Sequence, residues 1–355
     1  MTELAGRLLE GPLDIIGDVH GELEALRRLL ERLGVDLERS TASRPLVFVG
    51  DLIDRGPDSP GVVQLVKRLF EAGVAQVVMG NHELNLLRGD RKEGNGWFFG
   101  HADGFGEYEG RPFESISVET EEEAASILDF FSTLPLTLER GDLRVVHACW
   151  HRSSVEALPA TGDAPALADA MESEVIAELA SRGILEQARR ERSEFAELRD
   201  ITVRPTRMLA AARELSLAEQ LGSPLRVVTS GLEAPLELEE MFFTGGKWRL
   251  VERVRWWKQY DEPQAVVCGH YWRRRHRRAG EGSQRDLWDD EPPYGWAGPR
   301  GNVFCVDYSV GRRFKERWSG VSTFEGGLAA LRWPERELVF DDRADSVPTT
   351  GFGKA

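Results

Sequence analysis

Four short apolar runs in this chain end the same way, in a glycine followed by a side chain that can ligate a cation. "IIGD" closes on Asp18, "FVGD" on Asp51, "VMGN" on Asn81 and "VCGH" on His270. A fifth run, "RVVHA", ends on His147 without the glycine. In an open α/β sheet the strand ends gather at one edge, and ligands bind there. A glycine just before the ligand removes the side chain that would keep neighbouring backbone away. The recurrence therefore constrains the chain to a fold in which several strand ends converge on one site.

The segments between these runs support that fold. "ELEALRRLLERLG" and "PGVVQLVKRLFEAG" carry apolar residues at helical spacing, so the first hundred residues read as β-α-β-α-β, a mostly parallel sheet with helical crossovers. Asn95 to Pro112, "NGWFFGHADGFGEYEGRP", turns to glycine and aromatics and reads as a long loop. A helix follows at "EEEAASILDFFSTLP", then two strands around "LTLERGDLRVVHA". Residues 164–219, rich in Ala, Glu, Arg and Leu, read as a helical insertion within a single domain spanning 1–340. After Pro224 the runs "LRVVTS", "RLVERVRWW", "QAVVCG", "NVFCVD", "LAALRW" and "ELVF" read as strands of a second sheet, and 341–355 as a disordered tail.

Composition excludes several classes of protein. With 355 residues, 41% of them hydrophobic, the chain can bury a large core, yet it has no apolar run of the roughly 18 residues needed to span a membrane. Its N-terminus lacks the apolar core of a signal peptide, which points to the cytoplasm. The three cysteines, Cys149, Cys268 and Cys305, are odd in number and far apart, which fits a reduced compartment. A net charge of -15 disfavours nonspecific attraction to nucleic acid or to an anionic membrane.

Asp18, His20, Asp51, Asn81, His147 and His270 mix oxygen donors with imidazoles, a set that suits manganese, iron or zinc. Six ligands are too many for one tetrahedral ion, so two divalent ions sharing a carboxylate is the economical arrangement. Such a pair, about 3.5–4 Å apart, suits in-line phosphoryl displacement.

The blocks "GDVHG" (Gly17 to Gly21), "GDLIDRG" (Gly50 to Gly56) and "GNHE" (Gly80 to Glu83) resemble, in this order, the signature blocks of the calcineurin-like metallophosphoesterases, in particular the phosphoprotein phosphatase branch. The resemblance implies a sandwich of two β-sheets flanked by helices (αββα). It also implies two metal ions, manganese first among the candidates, with Asp18 and His20 on the first, Asp51 bridging, and Asn81, His147 and His270 completing the second. His82 would protonate the leaving oxygen, Asp54 would raise its pKa and fix its tautomer, and Arg55 would fork onto phosphate oxygens. The implied reaction is attack on phosphorus by a metal-bridging hydroxide, with no phosphoenzyme. The family employs a further phosphate-binding arginine, for which Arg273, Arg204 and Arg152 are candidates. The family follows the His147 position with Ala-Gly or Gly-Gly, and here "HACWH" puts Cys149 and Trp150 there.

Other residues have plainer readings. Cys149 and Cys268 read as small buried hydrophobes, Trp256 and Trp257 as core or sheet edge, and His101 as a loop residue. His151 either lines the pocket or starts a solvated helix. "RRRHRR", Arg273 to Arg278, reads as a basic loop.

The substrate is a phosphorylated molecule: a phosphoprotein, a nucleotide or a small phosphoester. No G-x-x-x-x-G-K-[ST] occurs, which sets a kinase module aside. The intact blocks favour a Ser/Thr protein phosphatase-like phosphomonoesterase. "CGHYW" and "LAALRWPERELV" are similar to the C-terminal strands of dinucleoside tetraphosphatases, so symmetrical hydrolysis of diadenosine tetraphosphate to ADP is the alternative. An inactive fold serving as a binding scaffold is the reading from another class.

Overall fold

The computed structural model describes residues 2–100, 107–108, 111–194, 200–244, 247–276 and 287–354. His101, Arg277, Arg278 and part of the Gly-aromatic loop lie outside the described residues. Alternation along the strands shows how the layers stack. Leu13, Ile15, Val47 and Val49 from one sheet meet Leu143, Val145, Ala265 and Val267 from the other in one buried cluster. Ile16, Leu46, Phe48 and Val77 point the other way, toward the helices Leu23–Arg32 and Ser59–Glu71. Val146, Val266 and Cys268 likewise turn outward from the second sheet. The result is the expected αββα sandwich.

The first sheet runs in the order Val347–Pro348, Glu337–Phe340, Ala329–Trp333, Leu13–Ile16, Leu46–Phe48, Ala75–Val77, with the last three strands parallel. The second runs Val303–Cys305, Ala265–Cys268, Leu143–Val146, Thr137–Glu139, Ala5–Arg7. The crossover helices form where the sequence signals them. Leu23, Leu26, Leu29 and Leu30 make the buried stripe of the first. Asp58 caps the second by accepting the Gly61 N–H at 2.7 Å, with proline in its first turn.

Several expectations are corrected, among them "RLVERVRWW", whose strand Val251–Arg253 pairs with Glu233–Pro235 outside the second sheet. "LRVVTS" is the helix Pro224–Ser230, because Ser223 caps it and Pro224 fits its first turn, local signals that outweigh the β-branched composition. "LAALRW" and "ELVF" belong to the first sheet: Ala329–Trp333 pairs antiparallel with Leu13–Ile16, Leu331 opposite Ile15. The C-terminal segment is ordered, since Val347–Pro348 pairs with the strand Glu337–Phe340 and Phe352 packs its ring on Trp296 at 4.7 Å.

The insertion's helices Ala164–Ser181, Ile184–Glu194 and Ala210–Leu221 close around Leu179, Ala188, Ala212 and Leu215. Met241 and Leu250 join the same cluster, so the lobe extends past residue 219. It includes two small antiparallel pairs, Glu233–Pro235 with Val251–Arg253 and Phe242–Thr244 with Lys247–Arg249. Trp256 and Trp257 are buried in the main core, as expected. No helix among the described residues is long and apolar enough to cross a membrane.

One buried ion pair fixes the segment beneath the site. Arg313 forks onto both Asp341 oxygens at 2.9 and 3.0 Å, and Asp341 also accepts the Leu328 N–H and a bond from Arg28. Both partners are essentially fully buried. Asp341→Asn strands a buried guanidinium and should cost about 3–5 kcal/mol, measured by urea unfolding; a loss below about 1 kcal/mol would show the pair to be peripheral.

Candidate metal centre

Each predicted ligand lies just past the end of a strand. Asp18 and His20 follow Leu13–Ile16, Asp51 follows Leu46–Phe48, Asn81 follows Ala75–Val77, His147 follows Leu143–Val146 and His270 follows Ala265–Cys268. The first three strands belong to one sheet and the last two to the other, so the site sits across one rim of the sandwich. Close backbone approach is visible at Gly269, where a Cβ would lie 2.0 Å from Asp18 Oδ1. Backbone strain collects here as well. His20, Asp51, Asp54, Arg55 and His270 have φ of 47°, 50°, 71°, 70° and 68°, a region that side chains other than glycine's rarely occupy.

Asp51 is the hub. Its Oδ2 faces His20 Nε2 at 3.7 Å and its Oδ1 faces His147 Nε2 at 3.3 Å. His147 Nε2 also lies 3.2 Å from Asn81 Oδ1, and Asp18 accepts the His270 N–H at 3.1 Å. Two groups of ligand atoms result, each within 4.8 Å and sharing Asp51: one with His20 and His82, one with His147 and His270.

The donor set fits two divalent cations. His147 Nδ1–H donates to the Val49 carbonyl at 2.7 Å and His20 Nδ1–H to that of Ile53 at 3.1 Å, which leaves both Nε2 lone pairs facing the centre. His270 Nε2 is buried with no hydrogen-bond partner. Burial holds His20 and His270 well below the ordinary imidazole range, with Arg55 and Arg253 adding to the effect at His20 and His270 respectively, so both rings are neutral. Burial, then Asp307 and Asp51, push Asp18 well up. Among the described residues, Asp18, Asp51, Glu83 and Asp307 have no ion pair with Lys or Arg. A cluster of buried carboxylates around neutral imidazoles calls for cationic charge.

His82, Asp54 and Arg55, the residues expected to handle the proton and the phosphate, stand together at the centre. His82 Nδ1–H donates to Asp54 Oδ2 at 2.5 Å, leaving Nε2 as the atom that can exchange a proton. Burial lowers the His82 pKa, but Asp51 and Asp54 outweigh it and raise it overall. Arg55 reaches His20 Nε2 at 2.7 Å and His82 Nε2 at 3.3 Å, so its fork lies across the centre.

Arg273 is corrected. It is 1% exposed, donates to the carbonyls of Pro292 and Gly295, and stacks on Trp288 and Phe304, which makes it part of the core. Arg204 bonds the carbonyls of Leu238 and Glu239, and Arg152 is paired with Glu262. The cleft over the centre, about 760 Å³, is lined instead by Arg249, Arg253 and Arg312. Among the described residues none of these three has an ion pair. Cys149 and Cys268 are buried free thiols, as expected. His151 stands at the N-cap position of the helix Arg152–Ala157 without a side-chain bond to its backbone, its Nδ1 2.8 Å from Ser154 Oγ.

Sequence reasoning missed four supports. Trp97 Nε1–H donates to Asp54 Oδ1 at 2.6 Å from the short helix Gly96–Phe99, which replaces the start of the expected Gly-aromatic loop. Asp307 ends a sixth strand, "NVFCVD", where the carboxylate after an apolar run was the available signal; burial pushes it up to about 6. Gly311 packs so close that a Cβ would sit 2.5 Å from His20 Cδ2. Glu83 is fully buried and accepts the N–H groups of Asp51, Leu52 and Gly80 at 2.8–2.9 Å.

Against known proteins, residues 11–173 match the family described as calcineurin-like phosphoesterase. An asymmetrical bis(5'-nucleosyl)-tetraphosphatase, PrpE of Oceanobacillus iheyensis, is 48% identical over 80 residues, covering 21% of this chain and 32% of that protein. A symmetrical bis(5'-nucleosyl)-tetraphosphatase of Dechloromonas aromatica is 37% identical over 133 residues, covering 38% and 42%. The alignments thus span less than half the length of either relative. A cold-active protein-tyrosine phosphatase of a psychrophile Shewanella superposes over 99% of this chain and 83% of its own, with 15% identity and a TM-score of 0.47.

Glu83→Gln replaces an acceptor of three N–H bonds with an amide that carries donors of its own. It should destabilise the protein by about 1–3 kcal/mol, read from the urea midpoint; an unchanged midpoint would mean that these N–H groups find other partners.

Proposed function

Since this chain belongs, through residues 11–173, to the calcineurin-like phosphoesterase family, we propose that it is a metal-dependent hydrolase of phosphoanhydrides in dinucleoside polyphosphates, such as diadenosine tetraphosphate. The single observation that carries this reading is the cleft. In a chain of net charge -15 whose arginines are widely ion-paired, Arg249, Arg253 and Arg312 line the space over the centre without a close ion pair among the described residues, although Glu233, which shares the cleft with Glu93 and Glu252, offsets part of the charge of Arg249 and Arg253. Guanidinium groups gathered at a cleft without close ion pairs attract a multiply charged anion. A single phosphoserine needs fewer of them than a polyphosphate chain does. The partial matches to proteins named tetraphosphatases support the same choice over a Ser/Thr protein phosphatase.

Asp18, His20, Asp51, Asn81, His147 and His270 would hold two divalent ions, with manganese the first candidate. When bound, the ions supply Lewis-acid stabilisation of phosphoryl oxygens and make a bound water acidic enough to attack at neutral pH. The chain's own residues do the rest. Arg55, already fixed across the centre, forks onto oxygens of the phosphoryl group that is attacked. His82 delivers its Nε2 proton to the departing phosphate oxygen, while Asp54, itself held by Trp97, keeps the ring oriented and stabilises its cationic form. Arg253 and Arg249, on the inserted lobe, and Arg312, on the opposite wall, neutralise the remaining phosphates. The three buried free thiols agree with a cytoplasmic location.

Two experiments test this reading. With manganese supplied, kcat/KM for diadenosine tetraphosphate should exceed that for phosphoserine and phosphothreonine peptides by roughly a hundredfold or more, since each charged hydrogen bond contributes about 1.5–3 kcal/mol. Peptides turned over as well as the dinucleotide would restore the protein phosphatase reading. In the second, His82→Asn should lower kcat by about 10²–10⁴-fold with metal content retained, whereas Asp51→Asn should lose metal. Equal metal loss in both variants would remove His82 from its role as acid.

A further inference from the structure

Among the described residues Trp272 is one of the few large apolar side chains left open to solvent, 37% exposed, and it lines the cleft. Its backbone is held firmly. Tyr271 and Arg273 on either side are 2% and 1% exposed. The Trp272 N–H donates to Asp307 Oδ2 at 3.0 Å, the Arg273 N–H donates to the Asp307 carbonyl at 2.8 Å, and Ser309 Oγ donates to the Arg273 carbonyl at 2.9 Å. The indole lies against the Arg55 guanidinium, whose central carbon is 5.0 Å from the ring centroid. A flat, rigidly mounted and partly open ring therefore stands beside the arginine assigned to the attacked phosphate.

An indole on a fixed backbone loses little freedom when a second ring stacks on it, so most of the stacking energy appears as affinity. The aliphatic side chain of a phosphoserine offers no face to stack, and neither does inorganic polyphosphate. A nucleobase joined to a short phosphate chain offers a planar ring and anionic charge together, which matches a platform set among arginines.

We infer that Trp272 is the stacking platform for the base of a bound nucleotide, and so the residue that makes the cleft prefer nucleoside polyphosphates to inorganic ones. This rests on the proposed reading of the cleft as a nucleotide site. Because Trp272 also touches Arg55, a variant could act through that arginine alone, and the test must separate the two effects.

The test compares equilibrium binding of ADP and pyrophosphate to the manganese-loaded protein by calorimetry. The unaltered protein should bind ADP about tenfold or more tighter than pyrophosphate, since stacking one base on an aromatic side chain contributes about 1–3 kcal/mol. Trp272→Ala should erase that difference, and Trp272→Phe should keep most of it. Equal binding of the two ligands by the unaltered protein would overturn the proposal. So would a Trp272→Ala protein that loses both affinities by the same factor, since the ring would then act only by supporting Arg55. Failure to hydrolyse diadenosine tetraphosphate with the ADP preference intact would instead overturn the proposed reaction and leave the platform in place.

Discussion

The carboxylate of Glu83 ties together the ends of two strands. By accepting three backbone N–H groups, from Asp51, Leu52 and Gly80, it fixes where the strands Leu46–Phe48 and Ala75–Val77 release their next residues. Burying a carboxylate is costly, and hydrogen bonds from three backbone N–H groups offset part of the cost. Burial and the nearby Asp51 charge still push Glu83 up to about 7, so the hydrogen bonds offset only part of that cost. With that junction set, Asp51 stands between His20 and His147, and His82 begins its helix with the N–H aimed at Asp51 Oδ1.

The second sheet contributes as much as the first. His147, His270 and Asp307 all follow strands of the five-stranded sheet. The centre therefore depends on how the two sheets pack, through Leu13, Ile15 and Val47 on one side and Val145, Val267 and Phe304 on the other. A cavity in that layer would shift one set of ligands relative to the other without touching either. The lobe that begins at the insertion adds a third contribution, since it carries Arg249 and Arg253 to the cleft.

Much of the centre was legible in the sequence because its grammar is local: an apolar strand, a glycine, then a ligand. Asp18, Asp51, Asn81 and His270 emerged that way, His147 from a strand end that lacks the glycine and His20 from its place beside Asp18, while the αββα architecture followed from the resemblance those motifs carry. What stayed hidden depends on contacts distant in the chain. Trp97 meets Asp54 across a loop, and Gly311 meets His20 from nearly three hundred residues away. Arg273 looked available because it stood in a basic run three residues past His270, yet aromatic rings enclose its guanidinium and backbone carbonyls accept from both of its terminal nitrogens. Arg249 and Arg253 carry no local mark, and only the folded lobe brings them to the cleft. "LRVVTS" misled for a different reason: β-branched composition is a weak signal beside a serine cap and a proline in the first turn.

The left-handed backbone at Asp51, Asp54, Arg55 and His270 bears on how such a protein ages in evolution. An L-residue held there costs roughly 1–2 kcal/mol relative to a relaxed conformation, and glycine would remove most of that. Selection for stability alone would thus favour glycine at the very positions where the side chains matter. The same backbone that aims these groups makes the site the first place where a chain freed from using it would gain stability by mutation, so an intact set of strained side chains is itself a sign of continued use.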